Sequence, residues 1–353
     1  MSQIDFSAEV IQKVNPLIDS SSQIFLPLHE SADGDMVGSA LAFREFLKGR
    51  GKSTYLIVAE PISEIYSFLP GFSEIHVSKS LPDLSRFDLF VFLDGGSNPD
   101  GTFLDRYLSE ANWSLPIDSH TIFVDHHLLP PREPRPEIVL WDPSVSSTCE
   151  ILFYLFKALC VPLNQTLARS LLLGLLTDTG YFTQQNTTHE ALRAAAEIVS
   201  LGFGVPEISR QTIWNLSEDE VQYLALFLKN TKINRAARFN WTQISYMEFF
   251  RFLREKGIFD LNVEYHKNLL LRGLRDSRFA FVLHEKEPGH VTVSFRSRDE
   301  NFDVGSLARL LGGGGHYLAS GALVKNRSLE NAEKYVLGRI DEYLKDYEKE
   351  KSY

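Results

Sequence analysis

A chain of 353 residues exceeds the usual size of one domain, so two domains are expected. Hydrophobic content of 44% and charged content of 23% are those of a soluble globular protein, and no apolar run approaches the ~20 residues of a membrane span. A formal charge of −10 argues against tight binding of long nucleic acid, which needs a basic surface, but leaves room for a short phosphorylated ligand.

The N-terminus is acidic and amphipathic and lacks a basic start followed by an apolar stretch. No signal peptide is expected, and the location reads as cytoplasmic. Strand-like runs then alternate with helical periodicity: 23–28 reads as a strand, 36–48 as a helix, 54–59 as a strand, 62–69 as a short helix, and 88–93 and 121–124 as strands. The alternation predicts an α/β fold with a mostly parallel sheet flanked by helices. Helices follow at 148–159, 165–176 and 189–201, and Ser217 with Glu220 opens another over 217–229. This gives a first domain over 1–201, a helical connector over 202–230 and a smaller α/β second domain over 231–353. In the latter, 279–285 and 291–296 read as strands, 304–311 and 329–347 as helices, and 345–353 as a frayed charged tail. Cys149 and Cys160 lie in an apolar segment and read as buried thiols rather than a disulfide or metal site.

Four short patches carry the chemistry. His29, Asp33 and Asp35 come from one loop between a strand and a helix, where Gly34 lets the two carboxylates diverge. The plain reading makes Asp33 or Asp35 a helix N-cap, but a cap needs one carboxylate and leaves His29 unexplained. Asp94 ends an apolar strand and precedes Gly95, so a turn role is the plain alternative to bridging two cations. Asp125, His126 and His127 close another strand. Adjacent residues there point opposite ways, which suggests one histidine as ligand, the other toward substrate, and Asp125 orienting an imidazole. Asp178 follows a very apolar helix, a costly place for a carboxylate without a cation, although Gly180 would also suit a simple helix end. His29, Asp94 and 125–127 each follow a strand-like run, where ligands of such sheets gather. Carboxylates and imidazoles together suit Mn²⁺ or Mg²⁺ and a two-metal phosphoester-cleaving centre.

A fifth patch is the run Gly312–Gly315 closed by His316. Its backbone N–H groups can cradle an anion, and Arg296-Ser297-Arg298 adds guanidinium groups that pair with phosphate; the plain alternative is a flexible loop. Ser39, Asn186 and the remaining histidines read as structural or surface residues.

In this order the patches resemble the DHH phosphoesterase superfamily, and Arg296-Ser297 with Gly312–His316 resembles its DHHA1 substrate-binding domain, over roughly residues 20–325. The two-domain layout is most similar to the nanoRNase (oligoribonuclease)/pAp phosphatase group, with stand-alone cyclic-di-AMP phosphodiesterases as the close rival. The resemblance implies two divalent cations, Mn²⁺ ahead of Mg²⁺, in a cleft between the domains. His29 and Asp33 would hold the first, Asp35, His126 and Asp178 the second, and Asp94 would bridge them. His127 would face the scissile phosphate, with Asp125 behind it. Arg296, Ser297, Gly313, Gly314, Gly315 and His316 would hold the substrate. The partners implied are short oligonucleotides or nucleotide phosphates, with neither long nucleic acid nor a membrane, and with a homodimer as the assembly left open.

The chain departs from the family pattern at Ala32, where proline is common, and after Asp94, where Gly95 to Asp100 lack the usual arginine. A reading of another class is a catalytically silent nucleotide sensor, but no metal position of the family pattern is lost.

Overall fold

A computed structural model describes residues 8–29, 32–95, 114–127, 136–256, 263–315 and 317–350, and the chain divides into two compact units, Met1–Trp214 and Asn215–Tyr353. In the first unit α1 (Ala8–Ser20) precedes β1 (Gln23–Pro27), α2 (Gly34–Gly49), β2 (Ser53–Val58), β3 (His76–Val77), β4 (Leu89–Leu93), β5 (His120–Asp125) and β6 (Ile138–Trp141). The strands lie in the order β3-β2-β1-β4-β5-β6, and every pairing is parallel. Their near-continuous apolar sequences suit a sheet covered on both faces. Alternation divides them: Ile24, Leu26, Val91, Leu93, Ile122 and Val124 join the helix-side core, while Phe25, Phe90, Phe92 and Phe123 form an aromatic cluster opposite. Both faces are buried, so a one-residue slip of β4 would cost packing rather than burial: it would crowd phenylalanine rings into the helix-side core and leave voids in the aromatic cluster.

This strand order places the site. From β1 the chain builds β2 and β3 on one side, then returns to add β4, β5 and β6 on the other. A crevice therefore opens beyond the carboxyl ends of β1 and β4, the switch point where such sheets bind ligands.

The helices α3 (Thr148–Ala158), α4 (Gln165–Asp178), α5 (His189–Val199) and α6 (Val205–Gln211) complete the unit. Helices α2 and α4 approach through glycine. A Cβ on Gly38 would stand 2.4 Å from the Ser170 carbonyl, and one on Gly34 2.4 Å from Thr177 Cγ2. The approach brings Asp35, in the first turn of α2, toward Asp178 at the end of α4.

The second unit contains α7 (Glu218–Lys229), β7 (Lys232–Asn234), β8 (Phe239–Ile244), α8 (Tyr246–Lys256), α9 (Glu264–Gly273), β9 (Phe279–Glu287), β10 (His290–Ser297), α10 (Val304–Leu310), β11 (Gly314–Gly315), β12 (Ala319–Lys325) and α11 (Leu329–Glu350). Its sheet runs β11-β12-β10-β9-β8-β7, antiparallel except for the β8–β9 pair. One face packs Phe279, Phe281 and Phe295 against Val304 of α10 and Val336 and Ile340 of α11; the other sets Ala280 and Val282 against Phe227 of α7 and Leu271 of α9.

Several expectations need correction. The short helix over 62–69 is a single 3-10 turn, Glu64–Tyr66. The stretch 202–230, expected as a helical connector, does carry two helices, α6 and α7, and the division between the units falls between them. The tail expected to fray is helical to Glu350, because Tyr347 packs 5.2 Å from the Phe302 ring and donates a 2.8 Å hydrogen bond to the Asn301 carbonyl. Cys149 is buried, but Cys160 is exposed in the left-handed turn that follows α3.

Candidate metal centre

The loop after β1 presents a buried His29 and then Asp33, which is the N-cap of α2. Asp33 Oδ1 accepts the Asp35 and Met36 N–H groups, both at 3.1 Å, so the capping role is real and occupies one carboxylate oxygen. Asp35 is fully buried. Its Oδ2 accepts the Thr148 N–H at 2.6 Å and its Oδ1 the Cys149 N–H at 3.0 Å, which places this carboxylate at the N-terminus of α3.

Asp94 follows β4 in the left-handed region, φ 51°, a conformation that aspartate tolerates. Its turn geometry is therefore also real, yet the residue is only 3% exposed. Oδ1 lies 3.5 Å from His126 Nε2 and accepts the Thr148 hydroxyl at 2.9 Å, while Oδ2 lies 4.0 Å from His29 Nε2. Its two oxygens thus face two different histidines.

After β5 the adjacent histidines take different partners. His126 Nε2 is 3.0 Å from Asp178 Oδ2 and 3.9 Å from Asp35 Oδ2. His127 Nδ1 is 2.6 Å from Asp125 Oδ1, which also accepts the His127 backbone N–H at 2.9 Å; the His127 carbonyl accepts Trp141 Nε1 at 2.7 Å. Asp125 therefore holds His127 by ring and backbone. Gly180 is a left-handed helix-end glycine, φ 54°, but Asp178 stays in contact with His126.

Among the described residues, donor atoms converge in three groups whose members lie within 4.8 Å of one another: His29, Asp33 and Asp94; Asp35, His126 and Asp178; and Asp94, His126 and His127. The electrostatics describe a centre short of positive charge. Burial, then Asp178, pushes the Asp35 carboxyl up to about 7, with His126 opposing. Burial and Asp35 hold Asp94 well above the usual carboxylate range, and burial raises Asp178 as well. Burial alone would lower the His126 pKa, but its hydrogen bonds to Asp178 and Asp94 raise it well above the ordinary value. Asp125 is lowered despite burial by its hydrogen bond with His127. Divalent cations among these oxygens would reverse the penalty on the carboxylates. The donor set fits hard cations. Cys149 Sγ, which lies beside the centre, has its thiol pushed up by burial and then by Asp35, so it is a poor ligand.

Two residue types complete the centre without having been singled out. Thr148 supplies both a hydroxyl to Asp94 and an N–H to Asp35, and Ser147 with Glu150 marks a helix start legible in the sequence. Gly174 is required by proximity, since a Cβ there would stand 2.3 Å from both Asp35 Oδ1 and Cys149 Sγ. Asn186 also has a definite task. Its Nδ2 donates to the Asp178 and Ser146 carbonyls, both at 3.0 Å, tying the end of α4 to the approach of α3.

In the second unit, Arg296 on β10 is half-buried and donates through Nη1 to the Phe295 carbonyl at 2.9 Å. Ser297 is buried and its hydroxyl donates to the Asp299 carbonyl at 2.8 Å. The glycine run is not a free chain of amides. The Gly312 and Gly313 N–H groups donate to the Arg309 and Ala308 carbonyls at 3.0 and 2.8 Å, closing α10. Gly314 and Gly315 form the edge strand β11 against Gly321 and Ser320. A Cβ on Gly313 would stand 2.1 Å from the Gly321 carbonyl, so glycine is demanded there by packing. His316 and residues 96–100 lie outside the described residues.

The family models match this organisation: the DHH family N-terminal domain over residues 23–175 and the DHHA1 domain over 269–346. The chain belongs to the DHH/DHHA1 superfamily. The DHH match contains every candidate ligand except Asp178, and the DHHA1 match contains Arg296 and the glycine run. Similar curated proteins include the bifunctional oligoribonuclease and PAP phosphatase NrnA of Thermus thermophilus, 29% identical over 96% of this chain and 93% of that protein. The NrnA of Bacillus subtilis is 25% identical over 92% of this chain and 96% of its own. The cyclic-di-AMP phosphodiesterase PdeA of Listeria monocytogenes is 23% identical over 95% of this chain but only 50% of that protein. Among solved structures, an exopolyphosphatase-related protein from Bacteroides fragilis superposes with a TM-score of 0.83 at 22% identity over 97% of both chains, and so shares the DHH/DHHA1 fold. No helix among the described residues is long and apolar enough to cross a membrane.

Proposed function

We propose that this metal-dependent phosphoester hydrolase removes nucleoside monophosphates from very short oligonucleotides, and also takes the 3′-phosphate from adenosine 3′,5′-bisphosphate. In this reading two divalent cations, Mn²⁺ by preference, occupy the centre: one at His29 and Asp33, one at Asp35, His126 and Asp178, with Asp94 shared. Bound there, such a pair supplies a hydroxide nucleophile and neutralises charge on the reacting phosphate. The protein's own groups do the rest. Thr148 fixes the Asp94 carboxylate, and Asp125 holds His127 so that its Nε2 can hydrogen-bond the phosphate or pass a proton to the leaving oxygen. Arg296 supplies a charge-assisted anchor for a substrate phosphate.

The observation that carries the reading is Asp94, whose two oxygens stand 3.5 Å from His126 and 4.0 Å from His29, between the two donor groups. For the substrate, support comes from two bifunctional oligoribonuclease and PAP phosphatases that match nearly end to end, whereas the cyclic-dinucleotide relative matches over half its length. The charge of −10 fits a short substrate better than a long strand.

A product assay with Mn²⁺ tests this directly, comparing di- to pentanucleotide RNA, adenosine 3′,5′-bisphosphate and cyclic di-AMP. Nucleoside monophosphates from the first two are expected. A marked preference for cyclic di-AMP would overturn the substrate, and metal-loaded protein that cleaves none of them would point to a silent sensor.

A further inference from the structure

A cavity of about 400 Å³ opens in the second unit where the β7–β8 turn meets the turn from α9 into β9. Arg235, Arg238, Arg275 and Asp276 line it together with apolar Phe239 and Leu274. Arg238 Nε donates to the Asp276 carbonyl at 3.2 Å. The side chains of Arg235 and Arg275 are exposed and, among the described residues, make no hydrogen bond or ion pair. Three guanidinium groups around one carboxylate leave an excess of positive charge, unexpected on a chain of net charge −10. The fork geometry of arginine suits phosphate, and the apolar residues suit the sugar or base beside it.

The cavity is also linked to the substrate arginine through the sheet. Arg298 donates its N–H to the Arg278 carbonyl at 2.9 Å, and Arg278 donates its own to the Arg238 carbonyl at 2.5 Å. Arg298 comes two residues after Arg296 at the end of β10, so the Arg296 and Arg238 backbones lie about two strand spacings across the sheet and two residues along it, ~12 Å apart. Residues 233–238 precede the DHHA1 match, which begins at 269, so half of this cavity is supplied by sequence outside the matched domain.

We propose that the Arg235–Arg238–Arg275 cavity is a second anion-binding subsite, taking a phosphate of the substrate oligonucleotide beyond the one that Arg296 anchors. This rests on the oligonucleotide reading above and adds a length preference to it: a substrate with several phosphates engages both sites, whereas a dinucleotide is too short to benefit.

The test is the full-length Arg235→Ala/Arg275→Ala variant, loaded with Mn²⁺ beside the wild type. Equilibrium binding is measured with phosphonate-linked, non-cleavable penta- and dinucleotides, and KM with cleavable ones of the same lengths. The pentanucleotide should bind about tenfold more weakly to the variant. Its slope of log affinity against log salt should also fall by about 1 per lost contact, with the dinucleotide as reference. Equal loss for both lengths, or no loss for the pentanucleotide, overturns the subsite. Wild-type turnover judges the substrate reading by itself, and the binding comparison judges the cavity by itself, so the two failures are distinguishable.

Discussion

The candidate metal centre and the glycine–arginine end of the DHHA1 sheet use the same kind of short motif in opposite ways. At the centre the singled-out residues are side chains that meet in space: Asp94 lies against His29, His126 and Thr148, and Asp178 against His126. At the DHHA1 end much of the motif is spent on building the fold. Ser297 bonds the Asp299 carbonyl, Gly312 and Gly313 close α10, and Gly313 is pressed against Gly321. A motif can thus mark chemistry at one site and largely the backbone that positions it at another. Substitutions at the two sites should separate these roles.

The largest effect is expected at Asp94. Asp94→Ala should reduce turnover by about 10³-fold or more and lower the bound metal, while the circular dichroism spectrum and cooperative unfolding are retained. Near-normal activity would remove Asp94 from the centre.

The adjacent histidines should then part company. His127→Ala is expected to cost kcat on the order of 10²-fold with metal content kept, because its Nδ1 is held 2.6 Å from Asp125 Oδ1. His126→Ala should lose metal. Similar metal loss in both would show that they share one role.

Two glycines make the comparison sharpest. Gly174→Ala and Gly313→Ala each force a Cβ to within 2.3 Å or 2.1 Å of a neighbour, and each should cost about 1–3 kcal/mol in a denaturant titration. Only Gly174→Ala, whose Cβ meets Asp35, should also weaken metal binding. The smallest effect is expected at Arg296: Arg296→Ala should raise KM for short oligonucleotides about tenfold and leave the hydrolysis of bis-p-nitrophenyl phosphate nearly unchanged.

How much of this was legible in the sequence follows from the same contrast. The strands that carry His29, Asp94 and Asp125 were readable because β1, β4 and β5 are continuous apolar runs, and a parallel sheet places their ends together. Strand β3 has only two residues, and β7 and β11 are similarly short, so they leave little periodicity to read. Helix α3 was visible, but that its first amides hold Asp35 depends on a contact across 113 residues. In the sequence Gly174 is one residue of an apolar helix; its necessity appears only when α2 and α4 are packed together. The plain structural roles of Asp33, Asp94 and Gly180 hold as well. A cap, a turn and a helix end coexist with the donor groups because each uses the backbone or one carboxylate oxygen.

The central claim is that Asp94 is shared by two cations, and anomalous diffraction from crystals of the full chain grown with Mn²⁺ tests it most directly. The account predicts two manganese peaks about 3.5–4 Å apart, one beside His29 and Asp33 and one beside Asp35, His126 and Asp178, with an Asp94 oxygen on each. A single peak, or a pair that Asp94 does not bridge, would contradict it.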